Sequence, residues 1–121
     1  MEIYVATVFA KQGHEDQVAK FYQDQEEPLR GAKGFRGRQI LKARPGTMVA
    51  AVRKVMSEED MAKHAEPPGP AGVHFVIIEK WDSIDEKVAY SRSLEGGRAS
   101  DLIPHLLPQH THEYYSDITP E

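Results

Sequence analysis

Residues 74–86 read His-Phe-Val-Ile-Ile-Glu-Lys-Trp-Asp-Ser-Ile-Asp-Glu. Phe75, Val76, Ile77 and Ile78 form a continuous apolar run, the pattern of a central strand covered on both faces. Directly after it, Ser83 and Glu86 have the spacing of a capping box, in which a hydroxyl and a carboxylate reciprocally satisfy free backbone N–H groups. A helix therefore starts there; it runs through Val88 to about Ser93 and is cut by Gly96 and Gly97.

The elements on either side follow from period and punctuation. Met1 to Ala10 is rich in β-branched and aromatic residues and stops at the Lys11-Gln12-Gly13 turn, as a strand does. From His14 to about Ala32, Val18, Phe21, Tyr22 and Leu29 recur at helical spacing, with Pro28 ending or kinking the helix near Glu27. Phe35 to Ala43 reads as a strand, Pro45-Gly46 as a turn, and Met48 to Val55, apolar and β-branched, as a further strand in a hairpin or a long bent strand. Ser57 and the acidic residues Glu58, Glu59 and Asp60 open a short helix to about Ala65. The segment from Glu66 to Gly72, with three prolines and two glycines, reads as a loop with the makings of a lid. A second helical piece is expected from Ser100 to Leu107, kinked at Pro104. The last strand is expected over His110 to Ile118, with His110, His112 and Tyr114 on one face and Thr111, Glu113 and Tyr115 on the other.

Strand, helix, one or two strands, strand, helix, strand is the split βαβ order of an α+β ferredoxin-like domain. Both helices then lie on one face of the sheet, while its central strand is apolar on both. The bare face needs a cover, and a second copy in a two-fold homodimer is the simplest one.

The whole of residues 1–121 fits one domain, with an extended connection at 44–73 and no internal repeat. Fifteen Lys and Arg against nineteen Asp and Glu give a net charge of -4, which offers no basic field to nucleic acid or anionic lipid. The sequence has no cysteine, which removes disulfides, thiolate metal sites and a Cys nucleophile together. Met1 leads straight into an alternating segment without a signal-peptide pattern or a membrane-spanning run, so a cytoplasmic location is the expectation.

Phe75 to Ser83, a strand ending in Glu-x-Trp followed by a capped acidic helix, resembles the antibiotic biosynthesis monooxygenase family of dimeric α/β barrels. The first strand running into a Gly turn, the helix ending before Gly34-Phe35 and the strand after Leu106-Leu107 fall in that family's order. The resemblance implies a ferredoxin-like sandwich forming a dimeric α/β barrel. It also implies an oxygenase-like activity on a flat aromatic or phenolic molecule, with no metal, flavin or haem cofactor. Two features depart from the pattern. The connection at 44–73 is longer than the family's compact hairpin, and Tyr90 stands on the helix where many relatives carry a His. The second departure weighs against haem degradation, which would use that imidazole. A non-catalytic dimeric α/β barrel that binds a small aromatic molecule, or a stress-related one, stays open as the alternative.

The candidate site residues follow. Trp81, the only Trp, is either a substrate wall or a core plug beneath the second helix. Tyr90 and His105 are the candidate catalytic groups, His105 as a general base on a phenol. Tyr4, Tyr90, and Tyr114 or Tyr115 could line a pocket and orient a polar aromatic ligand through their hydroxyls. His110 is a further substrate contact, and with His112, and His74 or His105 as a third ligand, it has the spacing of a metal site; the simpler reading is solvated imidazoles and no metal. Trp81, Tyr90 and His105 are expected to converge on one cavity.

Overall fold

The computed structural model describes residues 1–63, 72–93 and 96–121. The apolar run at 74–81 is strand β3 (His74–Trp81), in which every second side chain is buried: Phe75, Ile77, Glu79 and Trp81. It lies between β1 (Glu2–Ala10) and β2 (Phe35–Lys42), and β4 (Leu106–Tyr115) pairs with the other edge of β1. The order β2-β3-β1-β4, antiparallel throughout, is the ferredoxin-like sheet predicted from the sequence, formed by two interlocked split βαβ units.

One face of this sheet carries the core. Val8 and Ala10 from β1 and Phe75 and Ile77 from β3 close against Val18 and Tyr22 of α1 (Glu15–Asp24), with Leu102 of α6 (Ala99–Leu102) completing the cluster. Each large apolar side chain buried this way contributes about 1.5–3 kcal/mol. The opposite face, with Ile3, Val5 and Thr7 on β1 and Val76 and Ile78 on β3, keeps all five residues partly exposed, and Leu41 on β2 is 46% exposed.

Pro28 acts slightly upstream of its own position. The first helix ends at Asp24 and a second short one, α2 (Glu26–Arg30), restarts with Pro28 in its first turn. A proline ring displaces the carbonyl four residues earlier, here that of Asp24, and that is where the ladder breaks. Helix α5 (Ile84–Ser91) begins where the capping residues place it, with the Glu86 N–H donating to Ser83 Oγ at 3.2 Å. The Glu86 carboxylate accepts from the Ser83 hydroxyl at 2.8 Å, a variation on the reciprocal backbone bond of the standard box.

Two expectations are corrected. Residues 48–55 are not a strand; Thr47–Arg53 form helix α3, started by Gly46 at φ 80° and the Ala50 N–H donating to the Gly46 carbonyl at 2.9 Å. The β-branched content of Val49 and Val52 suggested a strand, but Met48, Val49, Val52 and Met56 recur at helical spacing, with Ala50 and Ala51 between. Helix α4 (Glu58–Lys63) follows. The end of that helix near Ala65 and the loop at 66–71, with its lid role, lie outside the described residues. Second, the final strand begins at Leu106 and stops at Tyr115. Its helical predecessor is short: α6, then a 3₁₀ turn at Ile103–His105. Leu106 finds a partner in Ala10 and Tyr115 in Ile3, so the length of β1 sets both ends. Pro108 is tolerated because β4 is an edge strand.

Candidate functional site

The strand register brings four polar side chains into one row across the sheet, on the face the helices cover. Arg38 of β2 stands opposite Glu79 of β3, Glu79 opposite Tyr4 of β1, and Tyr4 opposite Tyr114 of β4. Tyr4 and Tyr114 have ring centroids 5.3 Å apart. The next row, Ile40, Ile77 and Ala6, is apolar, so the polar groups are gathered at one end of the core.

Glu79 is the centre of this cluster and is buried. Its Oε1 accepts the Trp81 indole N–H at 2.9 Å and pairs with the Lys87 ammonium of α5 at 2.8 Å. Lys87 also lies over two aromatic faces, with Nζ 4.5 Å from the Tyr4 ring centroid and 5.6 Å from that of Trp81. A carboxylate taken from water needs such partners, and the ammonium is further favoured by the electron-rich rings. On the other flank, the Arg38 side chain is fully buried. It donates to the Tyr22 carbonyl at the end of α1 and to the Glu26 carboxylate at 2.9 Å, and its Nε–H has no hydrogen-bond partner among the described residues.

The phenols around Glu79 are held neutral. Burial, then the Glu79 carboxylate and Tyr114, push the Tyr4 hydroxyl up to about 12. Tyr22 is raised further, by burial first and then by Tyr4 and Glu79, with Arg38 opposing. Tyr114 is raised by burial, Glu79 and Glu2. All three are therefore O–H donors across the physiological range. The arrangement is a fixed carboxylate–ammonium pair bordered by neutral phenol donors, and on β4 beside it His110 and His112 are exposed. The His112 ring is 6.5 Å from that of Tyr4, and His110 is 5.8 Å from His112.

Of the residues singled out from sequence, Tyr4, Tyr114, Trp81 and Tyr90 meet here. Tyr90 packs its ring 5.9 Å from Trp81, and Phe35 approaches Trp81 from the other side at 5.3 Å. Trp81 is completely buried, so in this structure it is a core plug that anchors Glu79 rather than the wall of an open cavity. His110 lies at the exposed margin, its Nδ1 3.0 Å from the Pro108 carbonyl oxygen.

His105 does not converge on Trp81. Trp81 pairs with Glu2 and Leu106 with Ala10, which puts His105 at the far end of β1, about 26 Å away at the usual rise per residue. There its Nδ1 shares a hydrogen bond of 2.9 Å with Nδ1 of His14. His74 pairs with Phe9 and is also remote from the cluster, as is Tyr115, which faces the opposite side of the sheet. Among the described residues no group of three or more His, Asp or Glu is gathered as a metal ion would require.

Arg38, Glu79, Lys87 and Tyr22 were not singled out beforehand. Glu79 and Trp81 are two apart in a strand and so share a face, and a lone carboxylate inside a buried strand is itself a signal. Lys87 stands three residues before Tyr90 on the capped helix, which puts both on one side of it. Nothing in the local sequence around Arg38 marks it; only the pairing of β2 with β3 brings it to Glu79.

No family model matches the sequence, and no curated protein matches it. Solved structures do. A candidate antibiotic biosynthesis monooxygenase from Nitrosomonas europaea is 12% identical, with a TM-score of 0.65 over 98% of this chain and 91% of that one. An antibiotic biosynthesis monooxygenase at 18% identity superposes with a TM-score of 0.64 over 98% of this chain and 100% of that one. A variant of SnoaB, a cofactor-independent oxygenase from Streptomyces nogalater, is 9% identical with a TM-score of 0.62 over 98% and 94%. The resemblance seen in the Glu-x-Trp strand and its capped helix thus extends through nearly the whole chain: the protein has the ferredoxin-like fold of the antibiotic biosynthesis monooxygenases.

Proposed function

We propose that the protein is a cofactor-independent oxygenase of the antibiotic biosynthesis monooxygenase type, acting on a flat phenolic or related aromatic molecule. The observation that carries this reading is the buried Glu79–Lys87 pair at the centre of the Arg38–Glu79–Tyr4–Tyr114 row. In this reading the ligand enters from the β4 side and stacks along Tyr4, Tyr114 and His112. Glu79 takes a proton from the substrate hydroxyl or an adjacent acidic carbon, and Lys87 stabilises the resulting anion. An electron-rich aromatic anion reduces molecular oxygen directly: one oxygen atom enters the ring as a quinone carbonyl, and the other leaves as water with the two displaced hydrogens. Neutral tyrosines suit this chemistry, because they donate to the anion without competing for the proton.

The same reading includes a two-fold homodimer. Ile3, Val5, Val76, Ile78 and Leu41 form an apolar sheet face that stays partly exposed among the described residues, and a second copy would bury it isologously.

Anaerobic titration of naphthol-like and anthrone-like compounds tests the first half of the mechanism, because a bound anion has a red-shifted absorption. The expected result is anion absorption at neutral pH with the natural sequence and its loss in Glu79→Gln. Compounds that bind only in their neutral form, or that fail to bind across the panel, would overturn the proposal.

A further inference from the structure

The connection between β2 and β3 leaves the sheet at the end opposite Trp81, where the Ala43 N–H donates to the His74 carbonyl at 2.9 Å. Its two helices, α3 and α4, bury no residue. Their apolar side chains instead line an open groove of about 1170 Å³, with Met48, Val49, Val52, Met56 and Met61 on its surface. Met48 is 74% exposed. Three of the protein's four methionines are in this groove, and such flexible, polarisable side chains repack around varied apolar guests. The volume is slightly above the usual range for small-molecule sites, about 300–1,000 Å³, as befits an open groove.

The charged residues on its lining are Arg44, Arg53 and Glu58. Among the described residues neither arginine takes part in an ion pair, so the lining carries two guanidiniums against the single carboxylate of Glu58. This excess of one positive charge beside an apolar floor complements one kind of occupant, an apolar molecule with an anionic head. A guanidinium recognises a carboxylate or sulfonate by charge-assisted hydrogen bonds, while the methionines take the hydrophobic body. An uncharged guest would leave both cations unused.

We infer that the α3–α4 groove is a second ligand site, separate from the Glu79 cluster, which binds amphiphilic organic anions such as aromatic or long-chain acids. Anilinonaphthalene sulfonate is the probe, titrated by fluorescence into the natural sequence and into Arg44→Gln/Arg53→Gln, with the uncharged phenylnaphthylamine in parallel. The sulfonate should bind with one site per chain and weaken by on the order of tenfold or more in the double variant, while the uncharged probe changes little. Met48→Ser/Met61→Ser should weaken both probes. These positions are outside the core, so circular dichroism should be unchanged.

Equal binding of the sulfonate to the natural and the arginine-free protein would overturn the inference. So would failure to bind. A mass that falls from dimer to monomer in the methionine variant, with no sulfonate bound to the natural protein, would assign the groove to a second copy instead.

Discussion

Replacing Lys87 with Met removes one half of a buried ion pair and leaves the other half in place. The Glu79 side chain is 7% exposed and would keep the Trp81 N–H as its charge-stabilising partner. Breaking such a pair from one side costs about 3–5 kcal/mol; because Lys87 itself keeps 15% exposure, water already screens part of the interaction, and a loss of about 3 kcal/mol is expected. For a chain of this size that corresponds to a fall in Tm of about 12 °C. Glu79→Gln should cost less, about 1–2 kcal/mol, because the amide still accepts from Trp81 and the orphaned ammonium is the better solvated partner. The double variant leaves no unpaired charge and should lose clearly less than the sum of the two. Urea unfolding followed by Trp81 fluorescence, at one fixed protomer concentration, measures all four corners of the cycle. A Lys87→Met loss below about 0.5 kcal/mol, with additive single effects, would refute the pairing on which the site is built.

Alkaline stability should fall from pH 10 toward pH 12. Tyr4 is raised to about 12, so over that interval the unfolded chain has given up a phenolic proton that the folded chain still holds, and ΔG of unfolding drops as pH rises; an ultraviolet titration showing all five tyrosines ionising together near pH 10 would contradict this. Gly34→Ala should destabilise by about 1–3 kcal/mol, because Gly34 has φ +86° and a Cβ there would stand 2.5 Å from the Glu86 carboxyl carbon; thermal unfolding of the variant checks it. A dimer is expected of the natural sequence by light scattering, and Ile78→Lys, placing a charge on the partly exposed sheet face, should turn it into a folded monomer. A monomer in both would remove the dimer from the account.

The fold was legible because its strongest signals are local. The run from Phe75 to Ile78 and the Ser83–Glu86 spacing located β3 and α5, and Pro28 located the break after α1 to within a few residues. Misreading occurred where two local signals disagreed. Around Met48–Val55 the β-branched residues favoured a strand and the spacing a helix, and the spacing prevailed. At the C-terminal end Leu106 and Leu107 fitted a helix, yet Leu106 pairs with Ala10 of β1, a partner ninety-odd residues away, and Leu107 follows it into the strand.

The site was only half legible for the same reason. Trp81, Tyr90 and Tyr4 carry chemistry that stands out in a list of residues. Tyr114 was picked out with Tyr4, but Arg38 and Glu79 join them in a row only through the pairing register of four strands, and that register is set by which face each strand buries. His105 illustrates the converse: a plausible base by residue type, it is removed from the cluster by the length of β1 and engaged with His14 instead.

Oxygenation in the Glu79 cluster is read out by oxygen uptake. The protein, freed of added metals, is mixed with an anthrone-like compound in an oxygen electrode, and the quinone product is quantified alongside. One O2 consumed per quinone formed, without hydrogen peroxide and with the rate lost in a folded Glu79→Gln variant, is the predicted result. Uptake no faster than the uncatalysed reaction, or a rate unchanged by Glu79→Gln, would contradict it.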